Sequence, residues 1–195
     1  MRNFYRAALD EELPQRFLDA PSASAPTDWR AAQRLENIGH IQAGLGATDF
    51  GPLRDLAWAH PFVAVVSESV VAVIDAVTPG AVQWLPIIVQ DHPEPPRRFL
   101  LNALHLVDCI DEEKSIWSGE AGRVEGEPPA ILLRVRNDLD PPVDIFRVQD
   151  HEAALIVTER LKVALEDHGF QGWRWDPVAA HVPPPWVTMS PPNPT

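Results

Sequence analysis

The sequence predicts one α+β domain: a mostly antiparallel sheet with packed helices, built from two related strand–helix–strand units. Three observations predict it. Apolar runs of strand length, such as "FVAVV", "AILLRVR" and "DIFRV", are bounded by proline and polar clusters. Two stretches, "SESVVAVIDAV" and "TERLKVALEDH", change to helical spacing. These stretches also lie in matching surroundings, as an internal repeat requires.

Residues 63–87, "VAVVSESVVAVIDAVTPGAVQWLPI", align without a gap to residues 154–178, "ALIVTERLKVALEDHGFQGWRWDPV", at an offset of 91. Val66, Glu68, Trp84 and Pro86 meet Val157, Glu159, Trp175 and Pro177 as identities. Each copy reads as an apolar strand, Ser or Thr followed by Glu, an amphipathic helix, a glycine, and a Trp-x-Pro strand. The Ser67 and Thr158 hydroxyls are expected to accept a bond from an orphan N–H at the helix start. Glu68 and Glu159 then favour the positive helix end, so they need not be a catalytic pair. Trp84, Trp173 and Trp175 are expected in core or half-buried strand positions.

The remaining elements follow in order. Asp28 is placed to cap a short helix through "WRAAQRLENIG", ending at Gly39. "ATDFGPLRDLAWAHP" reads as loop and turn with a short helical piece over residues 53–58. Pro79 and Gly80 stop the first repeat helix. "AVQWLPIIVQ" reads as a strand with Pro86 at an edge or bulge. "RRFLLNALHLVDCI" reads as one longer strand, its end buried and Cys109 a packed thiol. Asp108 is expected to end that strand and bond inward to fix the turn. Proline clusters at 91–98, 126–130 and 139–144 separate these runs. The boundaries expected are an N-terminal segment, 1–61, packed on the same domain, a core over 62–178, and an extended Pro-rich tail over 179–195.

Composition bounds the function. The formal charge is -12. An acidic chain is poorly suited to direct nucleic-acid or anionic-membrane contact and better matched to a basic partner. One cysteine excludes an intrachain disulfide and any multi-cysteine zinc site. The first residues show no apolar leader, and no uncharged apolar run approaches membrane-spanning length, so a soluble cytoplasmic protein is expected. There is no G-x-S-x-G elbow, H-E-x-x-H pair or phosphate loop. "DCIDEEKS" lacks the order of an EF-hand loop and carries Lys114 inside the cluster, so no metal and no cofactor is expected. Asp108 and Asp111 flank Cys109 and would raise its pKa, which disfavours a thiolate nucleophile.

Three passages resemble a bacterial polymorphic-toxin immunity family, the eleventh numbered immunity family, formerly a domain of unknown function. They are "FVAVVSESVVAVIDAVTPGAVQWLPIIV", "FLLNALHLVDCIDEEKS" and "DIFRVQDHEAALIVTERLKVALEDHGFQGWRW". The resemblance spans residues 62–175 and rests on the order and spacing of the blocks. It implies a binding protein and no enzyme: a cytoplasmic immunity protein that neutralises a cognate toxin, whose activity it does not specify. The acidic charge taken together with the resemblance makes a basic nuclease a candidate partner. It carries no catalytic residues to transfer.

The surface expected to meet the partner is the acidic connection holding Asp111, Glu112, Glu113, Glu120, Glu125 and Glu127, with Trp117 as an aromatic anchor. A solvated loop accounts for the same residues. A small carboxylate-dependent enzyme and a scaffold or regulatory subunit stay open as alternatives, and oligomeric state is not legible.

Overall fold

The computed structural model describes residues 2–10, 12, 18–19, 32–36, 38, 41–45, 51–59, 63–90, 97–117 and 130–179. The elements in chain order are β1 (Phe4–Leu9), β2 (Ile41–Ala43), β3 (Leu56–Ala59), β4 (Val63–Ser67), α1 (Glu68–Val77), β5 (Val82–Val89) and β6 (Arg98–Ala103). They continue with β7 (Leu106–Val107), β8 (Ile116–Trp117), β9 (Ala130–Leu132), β10 (Ile145–Val148), β11 (His151–Thr158), α2 (Glu159–Asp167) and β12 (Trp173–Pro177). Two five-stranded sheets form, in the orders β2-β5-β6-β4-β3 and β12-β1-β11-β10-β7. Most pairs are antiparallel, and β2–β5 and β10–β7 are parallel. This is the α+β class that the sequence predicts.

The repeat extends well beyond the aligned residues. β3–β4–α1–β5 of the first half matches β10–β11–α2–β12 of the second. Val66 faces Leu56 as Val157 faces Ile145. The third member of each sheet comes from elsewhere. Trp84 and Pro86 of β5 face Leu101 and Phe99 of β6, while Trp175 and Pro177 of β12 face Ala7 and Tyr5 of β1. Thus β1 occupies in one sheet the register position that β6 occupies in the other. Outer neighbours match too: Leu18 runs parallel to Ala59 as Val107 does to Val148, and Gln42 to Ile88 as Val135 does to Ala179. The chain is a tandem duplication, β1-to-β5 followed by β6-to-β12. The first strand of each half is inserted into the sheet of the other.

Side-chain chemistry explains the local elements. All five residues of β4 are buried, because one face meets the central core and the other an outer cluster; that is why it reads as a continuous apolar run. α1 buries Val70, Val73 and Ile74, and α2 buries Leu161 and Leu165, at helical spacing. The helices pack on each other. The central core draws on both sheets: Leu56, Val66, Ile74 and Leu101 with Ile145, Val157 and Leu161. Each such side chain, fully buried, contributes about 1.5–3 kcal/mol relative to exposure. A second cluster, with Leu18, Ile41, Val65 and Leu100, lies on the far face of the first sheet. A third, with Phe4, Cys109, Val135 and Phe146, lies on the far face of the second.

Several expectations are corrected. Ser67 and Thr158 take the N-cap position with nearly identical extended backbones, but their hydroxyls make no cap bond. They donate sideways instead, Ser67 Oγ to Asp55 at 2.7 Å and Thr158 Oγ1 to Asp144 at 2.6 Å. The first helical N–H groups bond to carbonyls beside the inserted strands, Glu68 to Arg97 and Glu159 to Asn3. A backbone acceptor is therefore already in place where the hydroxyl was expected to act. Residues 56–59 form a buried strand rather than a helical piece, because pairing with β4 overrides the helix preference of Leu and Ala. Residues 33–36 are not helical; Gln83 grips both backbone groups of Leu35, and Asn102 donates to Gln33 O. Residues 28–31, 37 and 39 of that expected helix, residues 91–96 and the tail beyond 179 lie outside the described residues. β1 has no counterpart in the expected elements. The run 98–110 is not one strand: it breaks at Leu104 and His105, where the chain crosses between sheets. Pro86 does lie at an edge, because β2 pairs only with residues 87–89 of β5.

The halves meet most tightly at the turn after α2. Trp58 packs on Trp173 at 5.4 Å, Trp173 Nε1 donates to Ala57 O, and Leu56 N–H donates to Gln171 O. Gly172 has φ +122°, and a Cβ there would lie 1.9 Å from Leu56 O. Gly172→Ala is therefore expected to cost about 3 kcal/mol in urea unfolding. Gly80→Ala, with φ +76° but open space around it, is expected to cost about 1 kcal/mol. Equal losses would mean that the close approach carries no weight.

The β1–β12 seam holds an ion pair, Arg6 to Asp176 at 3.0 Å, with Arg174 adding a bond at 2.7 Å. Burial pushes the Asp176 carboxyl up, and hydrogen bonds from Arg174 and Arg6 outweigh it, leaving it below the ordinary range. A carboxyl lowered by folding stabilises the protein above its unfolded pKa of about 4 and loses that contribution as pH falls through the folded value. Asp176→Asn should therefore lower stability at pH 7 and shrink the loss between pH 7 and pH 3, as followed by denaturation midpoints. An unchanged acid slope would contradict this.

Candidate functional site

The acidic stretch begins where β7 leaves the second sheet. Leu106 and Asp108 point outward, and Cys109 points into the third cluster. Asp108 does not bond inward as expected. Its side chain is 73% exposed and lies 3.8 Å from Arg136, which donates to the Asp108 backbone carbonyl. The turn is fixed by residues 134–136 instead. Asp111 N–H donates to Arg134 O, and Arg136 N–H donates to Cys109 O. Ile110 bridges Val135.

Asp111 then organises the next turn. Its carbonyl accepts from Lys114 and Ser115, its carboxylate accepts from the Lys114 N–H, and Lys114 Nζ lies 3.3 Å away. Ser115 is buried, accepting from Arg134 N–H at 3.0 Å and donating to Arg134 O. Glu112 and Glu113 are consequently held at the outer rim of a closed turn, both exposed. Trp117 lies in β8, paired with Ala130. Glu120, Glu125 and Glu127 lie outside the described residues. The structure thus brings Asp111, Glu112 and Glu113 together.

A shallow cleft of about 400 Å³ opens beside the turn, lined by Ile110, Asp111, Glu112, Glu113, Lys114, Arg136, Asn137 and Asp138. Sequence reasoning missed Arg136, Asn137 and Asp138. They lie more than twenty positions away, and only the Ile110–Val135 bridge brings them here. It also missed the apolar flank: Leu106 and Ile116 are each 40% exposed. Among the described residues, no group of three or more His, Cys, Asp or Glu is placed to hold a metal ion. No helix among them is long and apolar enough to cross a membrane. The arrangement offers carboxylates, two cations and exposed aliphatic side chains, a composition suited to contact with a protein.

Cys109 lies beneath this surface. Burial pushes its thiol up to about 12, with Asp108 adding and Arg136 opposing. Burial therefore outweighs the flanking carboxylates that the sequence pointed to. Cys109 should remain unmodified by Ellman's reagent at pH 8 in the native protein and react fully in urea. Rapid labelling of the folded protein would contradict this placement.

No curated protein matches the chain. The model of the immunity protein family Imm11 matches residues 14–180. That stretch takes in the duplicated framework from Leu18 to β12 and the acidic turn, and the chain belongs to this immunity protein family.

Proposed function

We propose that the chain neutralises its cognate toxin in the cytoplasm, without catalysis, by presenting the acidic connection of its second half to a basic toxin surface. Membership of the immunity family supports the toxin as partner. The internal duplication supports the choice of surface. The two halves serve as controls for each other, because residues 19–41 and 108–134 join equivalent parts of the two sheets. The first connection holds three carboxylates and two Lys or Arg, and the second holds seven carboxylates and three. The framework does the same structural work with either connection. The second connection carries more carboxylates than the first while joining equivalent parts of the framework, and that observation carries the proposal.

In this reading Glu112 and Glu113 steer encounter and make the outer charge contacts, and Asp111 fixes the turn that presents them. The proposed contact also includes Glu120, Glu125 and Glu127 of the same connection, with Trp117 as an aromatic anchor. A toxin that acts on nucleic acid presents a basic surface of the kind such a patch fits, and covering it blocks access of the substrate.

Charge reversal of both Glu112 and Glu113 to lysine should weaken affinity for the cognate toxin at least tenfold, about 1.4 kcal/mol. The loss should shrink as salt rises. The unfolding midpoint should stay near that of the parent, since both side chains are exposed. Unaltered affinity measured by calorimetry would move the interface elsewhere.

A further inference from the structure

We propose that the outer face of α1, with the sheet surface beside it, receives a second copy of this chain. The two halves set equivalent helices over equivalent sheets but dress them differently. At the offset of 91, Arg160, Lys162 and Asp167 of α2 correspond to Ser69, Val71 and Ala76 of α1. Lys162 lies over the Tyr5 ring at 5.1 Å and pairs with Glu166. In the first half Val71 takes the place of Lys162, and Phe99 the register position of Tyr5. Ala179 is 1% exposed, while its counterpart Ile88 is 50% exposed.

These apolar positions form one patch. Asp75 accepts from Trp84 Nε1 at 2.9 Å, which lays that flank of α1 along β5. Val71 stands four residues back on the same flank. Trp84, Pro86 and Ile88 alternate onto the face of β5 that bears the helix, and Phe99 faces Pro86 across the ladder. Ala72 and Ala76, both exposed, carry the patch around α1. Contiguous exposed apolar surface, depleted of charge at its centre, marks contact with a protein.

The rim identifies the occupant. Glu68 N–H donates to Arg97 O, and Arg97 lies one step beyond the Arg98–Ile87 pair, beside Ile88. Glu68 and Arg97 are both exposed. Among the described residues neither side chain has a partner, whereas Glu159 at the equivalent place accepts from Asn3 Nδ2 at 3.1 Å. An acid and a base side by side at the edge of an apolar centre make a surface complementary to itself. About a two-fold axis, Glu68 of each copy meets Arg97 of the other. The chain carries a charge of -12, so two copies repel over most of their surface, and this neutral face is where they can approach. A basic toxin surface finds its match in the acidic turn of the second half instead.

The test is the mass of the full chain by sedimentation velocity between about 1 µM and about 200 µM. The mass should climb from that of one chain toward that of two. I88E, at an exposed position, should raise the dimer dissociation constant about tenfold or more. Its unfolding midpoint, taken at about 1 µM, should stay near that of the parent. A76D, which installs the residue that α2 carries, should do the same. E68R and R97E should each weaken the dimer, and the chain carrying both should recover it. A monomer at every concentration would overturn the proposal, as would a dimer indifferent to I88E and A76D, or a double variant no tighter than either single one. A chain that stays monomeric and loses affinity for the cognate toxin through I88E would assign the face to the toxin and overturn self-association.

Discussion

The structure depends on the ladders that β1 makes between β11 and β12 and that β6 makes between β5 and β4. Without the inserted strand, each sheet would leave two facing rows of N–H and C=O groups unpaired, and buried backbone groups cannot be left so. The inserted strand also places the carbonyl that receives the first helical N–H of each half, Asn3 O for α2 and Arg97 O for α1. With those donors satisfied, Ser67 and Thr158 are free to donate to Asp55 and Asp144, which tie each helix start to the hairpin before it. Arg160 adds a further bond to Asp144 in the second half, and that contact holds its guanidinium above the ordinary value.

Reciprocal insertion binds the halves through backbone as well as side chains. The central core belongs to neither alone, since Leu56 and Trp58 pack with Ile145 and Trp173 in one cluster. A framework closed in this way tolerates change in the connections that run over its surface. The two connections have diverged accordingly. Residues 33–35 are drawn onto the first sheet by Gln83 and Asn102, whereas residues 111–115 wind into a turn that carries its carboxylates outward.

Much of this was legible in the sequence where one element buries one continuous apolar run. β4, α1 and β5 and their copies were legible because Val66, Val70, Ile74 and Val157, Leu161, Leu165 keep the spacing of strand and helix. β1 was not, because "FYRAAL" buries Phe4 and Ala7 among partly exposed neighbours, and its partners lie some 150 positions away or more. β3 is not legible as a strand because "LAWA" carries helix-favouring residues that pairing overrides. The carboxylates at 111–113 were legible as a cluster. Their presentation was not, because it rests on Arg134, Val135 and Arg136, which come into place only when the chain returns from β9.

The proposed function divides labour between framework and connections: both connections are supported alike, and the second is the one proposed to meet the partner. Hydrogen–deuterium exchange of the chain, alone and with its cognate toxin, tests it most directly. The account predicts slowed exchange across residues 105–117 and 130–138, with residues 33–45 unchanged. Slowing confined to residues 33–45, or no change in 105–117, would contradict it.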